Sequence, residues 1–338
     1  LYLTSDLPKH KTKIKVKGFN MGFNIKNAWL ALMSVFTKQN PQLNHSKNED
    51  FNTPPIFVVE RNIATQTQNP YKHLAHSYLK KLCNVKCLHN SISPGKTNAV
   101  TERVSFLMSE LHKSKIRFTT DFFGGSHDSA GFVNIEVPFI IDRHDAETVI
   151  LIAHHDINNT SSQNCNDNSA SVSILLAFCN HLKQLYLSER LNNNVVVVWT
   201  DCEEFGGRGS NRLGKKIVNS EFGNVKYVVN LELTAIGDKF WMSPYLDNSE
   251  LVDRFLDVFS KRKDKLSITR VPFNDSVILA KFGIDTVCFG ILPSAEMDMV
   301  NNGTYCPTWA LCHREDDTIE KSNADDMDSV VKLLEELI

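Results

Sequence analysis

Apolar positions follow two repeating patterns from about residue 99 to the end of the chain. One has helical spacing. Over 100–113 it puts Val104, Leu107, Met108 and Leu111 on one face, and over 169–187 it does the same with Val172, Leu175, Leu176 and Cys179. Further helices are predicted over 206–219, 249–261, 276–282 and 323–338. The other pattern is a short apolar run, at 148–153, 194–199 and 286–292, with further strands expected at 116–120, 132–141, 225–233 and 268–273. Continuous β-branched runs alternating with helices indicate an α/β fold, a three-layer αβα sandwich around a mostly parallel, mixed sheet. Ligands of such sheets bind beyond the carboxyl ends of the strands.

Residues 1–95 read differently. They are rich in Lys, Asn and Gln, with short apolar patches such as 56–59, no repeat and no motif; 90–96 is a loop by composition. The chain therefore divides into an N-terminal extension, 1–95, and a domain, 96–338, that holds the candidate chemistry. The apolar run 28–36 follows a lysine-rich segment but lacks a small-residue cleavage site, which favours a docked amphipathic helix over a signal-peptide core.

Composition narrows the function classes. At 338 residues with a net charge of −2, the chain gives no general reason to expect nucleic acid or an anionic membrane surface as a partner. It has no run of the ~20 apolar residues that a membrane span requires. The 8 cysteines do not form a disulfide framework in a chain this long. Cys179 and Cys288 sit in apolar runs as small core residues, and Cys83 with Cys87 has no second pair at zinc-finger spacing. These features lean toward a cytoplasmic protein. Because the sequence opens on Leu1 rather than Met, export stays open.

Polar residues with ligand chemistry collect where the apolar runs end. His154-His155-Asp156 follows the 148–153 run. Strand alternation lets His154 and Asp156 share a face, so that Asp156 can accept the second imidazole N–H of His154; the alternative is a polar loop. Asp167 lies on a loop opening a long helix, where it could bridge two cations or, with Asn168, cap the helix. Glu203-Glu204 follows the 194–199 strand and precedes Gly206-Gly207-Arg208-Gly209. Adjacent glutamates on an irregular turn diverge, so one can ligate while the other moves a proton; the alternative is a solvated acidic loop. Glu232 ends an apolar strand and needs a partner, which a cation would provide. His313 is on a loop, where a lone histidine is more often structural. Taken together, two imidazoles and three carboxylates suffice for two divalent ions with one carboxylate shared, and a glutamate is left over as base.

These stretches, with Asn166-Asp167-Asn168-Ser169, Asp201-Cys202-Glu203-Glu204, Gly209-Ser210, Asn230-Leu231-Glu232, Asn274-Asp275-Ser276, Phe282-Gly283-Ile284 and His313 with Asp317-Thr318, resemble the zinc-dependent exopeptidases typified by bacterial leucyl aminopeptidases. That group, metallopeptidase clan MH, family twenty-eight, also includes glutamate carboxypeptidases and, more distantly, glutaminyl cyclases. The resemblance covers roughly 97–338 and makes 96–338 the zinc-peptidase catalytic domain. It implies that His154 and Glu232 hold one zinc, Glu204 and His313 the other, and Asp167 bridges them. Glu203 would be the general base and Asp156 the partner of His154, with a cis peptide after Asp167. Cobalt or manganese could replace zinc on such a nitrogen and oxygen set. The chain departs from the pattern at Glu232, where Asp is usual, and at Ser276, where His is usual; neither removes a ligand.

The implied activity is removal of N-terminal residues from a peptide substrate. Alternatives on the same fold are a carboxypeptidase, a glutaminyl-cyclase-like acyltransferase, which typically works with one zinc, or an inactive binding protein. Three other signatures are missing. There is no Gly-x-Ser-x-Gly elbow and no His-Glu-x-x-His helix, and Gly95-Lys96-Thr97 lacks the earlier glycine of a phosphate loop.

Overall fold

The computed structural model describes residues 71–85, 101–124, 131–158, 161–262, 266–269, 271 and 273–338. The helix expected at 28–36 and the loop at 90–96 lie outside them. The strands are β1 (Thr119–Phe123), β2 (Phe132–Phe139), β3 (Thr148–His154), β4 (Asn194–Thr200), β5 (Val225–Leu231), β6 (Lys239–Pro244), β7 (Leu266–Ile268) and β8 (Thr286–Leu292). They form one mixed sheet in the order β1-β2-β4-β3-β5-β8-β6-β7. Its centre, β4-β3-β5-β8, is parallel, while β2 runs antiparallel to β4 and β6 antiparallel to β8. The mostly parallel, mixed sheet of an α/β sandwich is thus as the apolar runs predict.

Strand alternation sorts the core into layers. Val149, Leu151 and Ala153 of β3 face one cluster with Val195, Val197 and Trp199 of β4; Ile150 and Ile152 face the other with Val196 and Val198. The first face is covered by α1 (Leu74–Leu82), α2 (Glu102–Lys113), α3 (Ala170–Leu187), α5 (Glu250–Ser260) and α8 (Ala324–Leu337). The second is covered by α4 (Arg208–Val218) and α6 (Asp275–Ala280), and α7 (Ser294–Asn301) packs near the β6 edge against Trp241 and Leu292. Every residue of β3 is buried, as a strand covered on both faces requires.

The structure corrects several boundaries. Ala75, Tyr78, Leu79 and Leu82 of α1, which precede residue 96, pack in the same core as the sheet. The strand expected at 116–120 begins at Thr119, because Lys115 takes a left-handed conformation and Ile116 closes the end of α2 by donating its amide to Leu111 O. β6 and α7 are further elements that the apolar pattern did not mark. No described helix is long and apolar enough to cross a membrane.

Because Leu79 is fully buried in this core, Leu79→Ala should destabilise the protein by about 2–5 kcal/mol. Urea unfolding measures this, and a change near zero would detach α1 from the domain.

Candidate metal centre

Three adjacent parallel strands deliver site residues from the same edge of the sheet. His154 is the last residue of β3. Glu203 and Glu204 follow β4, and Glu232 follows β5, its amide donating to Phe289 O of β8 at 2.9 Å. The turn after β4 is shaped by glycine. Gly207 has φ 63°, and a Cβ on Gly209 would collide with the backbone of Asp201 and with Asn134 Oδ1. Asp156, two residues beyond β3, then grips the turn: its two carboxylate oxygens accept the amides of Glu203 and Glu204, each at 3.1 Å.

Asp167 lies on the irregular turn Cys165–Ser169 ahead of α3, with a cis peptide between Asp167 and Asn168. No side chain caps α3. Asp167 and Asn168 therefore serve something other than the cap that the sequence leaves open. Asn166 Oδ1 accepts the amide of Ala235 at 2.9 Å, and Asn168 Nδ2 donates to Leu231 O at 2.9 Å, so the turn is sewn to the end of β5.

The structure brings all seven sequence-derived residues together. Asp167 stands between the two histidines, with Oδ1 3.3 Å from His154 Nε2 and Oδ2 3.3 Å from His313 Nε2. Glu232 Oε2 is 3.5 Å from His154 Nε2, and Glu204 Oε2 is 2.9 Å from His313 Nε2. On its other ring nitrogen, His154 Nδ1 lies 3.4 Å from Asp156 Oδ1. Three sets have ligand atoms within 4.8 Å of one another: His154, Asp167 and Glu232; Asp167, Glu204 and His313; and His154, Glu203 and Glu204. Apart from His313, which is half exposed, these side chains are buried or nearly so.

The electrostatics of the site call for cations. Burial, followed by the nearby carboxylates of Glu232, Asp275 and Asp156, pushes Glu203 well above the usual carboxylate range. Burial carries Glu232 up to about 7. Burial alone would lower His154, but Glu232, Asp156 and Asp167 outweigh it and raise that imidazole well above 6.5. Hydrogen bonds to Asp167 and Glu204 raise His313 to about 10. Burial opposes ionisation of Asp167 as well, yet the two imidazoles hold it far below the usual range. Glu204 Oε1 is buried without a hydrogen-bond partner among the described residues. An orphaned carboxylate oxygen, crowded acids and two imidazoles form a nitrogen and oxygen donor set that fits divalent zinc.

Other residues at the site were less visible in the sequence. Asp275 is fully buried and accepts from Thr200 Oγ1 at 2.5 Å. Asn230 Nδ2 donates to Asn274 Oδ1 at 3.4 Å, and Asn274 Nδ2 donates to Tyr245 Oη at 2.6 Å, a chain that leads from beside Glu232 to the side chain after β6. Ser276 Oγ pairs with Thr286 Oγ1 at 2.9 Å. Arg103 fixes the far side of the His154 segment, donating to His155 O at 2.8 Å and to Ser169 Oγ at 3.0 Å. Asp317 is buried, and burial raises it to about 6 against the pull of the Asn166 and Asp167 amides it accepts.

Since His313 is raised above its unfolded value of 6.5, its ion pairs stabilise the metal-free protein fully below about pH 6.5 and lose that effect as pH rises through about 10. NMR of the histidine rings in chelator-treated protein should show this imidazole still protonated at neutral pH and losing its proton on addition of zinc. An ordinary midpoint near 6.5 would remove Asp167 and Glu204 as its partners.

Known structures share this fold. A zinc aminopeptidase from Bacillus subtilis is 19% identical with a TM-score of 0.52, over 62% of this chain and 50% of that one. The present chain thus spans about half the length of that enzyme. LapB from Legionella pneumophila is 15% identical with a TM-score of 0.61, over 78% and 70%. A glutaminyl cyclase from Fimbriiglobus ruber is 17% identical with a TM-score of 0.61, over 82% and 97%. At such identities these likenesses speak for the fold. No curated protein gives a significant match. The profile of Peptidase family M28 matches residues 136–338, which takes in every side chain facing the two imidazoles, and the chain belongs to that family.

Proposed function

We propose that this protein is a two-zinc exopeptidase that removes N-terminal residues from peptides. The observation that carries the reading is the placement of Asp167: each of its oxygens faces the Nε2 of a different imidazole, and each of those Nε2 atoms has one further carboxylate of its own. His154 and Glu232 would hold one ion, Glu204 and His313 the other, and Asp167 both. Bound zinc would supply positive charge that acidifies water and polarises a carbonyl.

The chain's own residues supply the rest. Glu203 takes the proton of the attacking water and passes it to the leaving amine. Its buried place beside His154 and Glu204 suits that task, since a proton carrier must lie within reach of the water it serves. Asp156 fixes the backbone of Glu203 and the ring of His154 at once, so that base and ligand keep a common frame. His313 is the half-exposed member of the cluster, so the site opens to solvent on its side.

One observation favours a second reading. The chain spans 97% of the Fimbriiglobus ruber glutaminyl cyclase, which supports acyl transfer within an N-terminal glutamine as the alternative on the same residues.

The test is hydrolysis of aminoacyl-arylamides with and without chelator, beside cyclisation of an N-terminal glutaminyl substrate. Chelator-sensitive release of arylamine supports the first reading; cyclisation without release replaces it with the second. Glu203→Gln should leave zinc content unchanged and lower turnover by at least ~100-fold; undiminished turnover would take the base role from Glu203. His313→Ala should lose about one zinc per chain, read by elemental analysis, and unchanged stoichiometry would contradict its assignment.

A further inference from the structure

His313 is the ligand candidate with the least support from regular structure. It follows a short 3-10 turn, Trp309–Leu311, has φ 63°, and is half exposed, whereas His154 ends a fully buried strand. Its distance to Asp167 must therefore be set by something other than the sheet. Four residues further along the same loop is Asp317, fully buried. Its Oδ1 accepts the amide of Asn166 at 2.7 Å and its Oδ2 the amide of Asp167 at 3.0 Å; its backbone oxygen accepts the amide of Cys165 at 3.4 Å. Three successive N–H groups of the turn carrying Asp167 thus converge on one residue of the loop carrying His313, as backbone nests converge on an anion. Beside them, the amide of Ile319 donates to Gln163 Oε1 at 2.8 Å, a second tie between the same two segments.

The arrangement resembles that of Asp156, which grips the consecutive amides of Glu203 and Glu204. In each case a carboxylate two to four residues beyond a histidine holds the backbone of a carboxylate that the histidine faces. We infer that Asp317 is the positioning residue of one half of the centre, clamping the Asp167 turn to the His313 loop so that the two side chains meet at a fixed separation. This inference rests on the two-zinc reading. Asp317 acts through the backbone and touches neither ion nor substrate. Its removal should weaken the ion shared by Asp167, Glu204 and His313, and leave the ion held by His154 and Glu232 bound.

The experiment is a zinc titration of metal-free protein against a chromophoric chelator, comparing the wild type with Asp317→Asn and Gln163→Ala. Asn keeps one acceptor oxygen but turns an N–H2 toward the second amide, so a single clamp bond is lost with little change in volume. The expected result for Asp317→Asn is one zinc weakened by roughly 10–100-fold, as for other residues that orient ligands, and the second zinc unchanged. Excess zinc should restore activity. Gln163→Ala, on the less buried tie, should weaken the same zinc by a smaller factor; it keeps the inference testable should Asp317→Asn not fold. Equal weakening of both ions would assign Asp317 to general stability and overturn the inference, as would wild-type affinity in both variants. A wild-type chain that takes up no zinc would overturn the two-zinc reading itself, an outcome distinct from normal uptake by the wild type with an unaffected variant.

Discussion

Everything at this site is arranged around one carboxylate with an imidazole on each of its oxygens. Asp167 can face His154 and His313 together because its turn departs from helical geometry just before α3 begins. The cost of that arrangement is electrostatic. Glu203, Glu204, Glu232, Asp156 and Asp275 crowd the same volume, mostly out of contact with water, and burial raises Glu203, Glu204, Glu232 and Asp275. Two imidazolium charges offset part of this repulsion in the metal-free chain. Two divalent cations would offset more of it and would displace those protons, which ties metal uptake to pH.

The fold supplies the frame. With β3 between β4 and β5 and all three parallel, their carboxyl ends open side by side, and His154, Glu203, Glu204 and Glu232 arrive at one edge without any long excursion of the chain. What the sheet does not supply comes from loops held by carboxylates: Asp156 for the turn after β4, Asp317 for the turn before α3. Backbone amides gripped by buried carboxylates give loop residues a rigidity closer to that of the strands.

The central strands were legible in sequence because β3, β4 and β8 are nearly continuous apolar runs and β5 is one broken only by Lys226 and Asn230, a pattern that suits short strands covered on both faces. Their ends marked where ligands belong, and the family resemblance supplied the pairing of ligands that no single residue shows. Other elements were less visible for physical reasons. In α1, Ala75, Tyr78, Leu79 and Leu82 have helical spacing, but Lys80 and Lys81 and a polar surrounding masked it. β6 lies at the edge of the parallel core, is short, and ends in Pro244, so it carries neither length nor alternation. Ile116 looks like a strand residue by composition and instead closes a helix. The role of Asp317 was beyond sequence reasoning altogether, since it depends on residues about 150 positions earlier in the chain.

The most direct test of this account is zinc-edge anomalous diffraction from crystals of the zinc-loaded protein. The account predicts two peaks flanking the carboxylate of Asp167, one beside His154 and Glu232 and one beside Glu204 and His313. A single peak, or peaks that leave Asp167 outside the coordination of either ion, would contradict it.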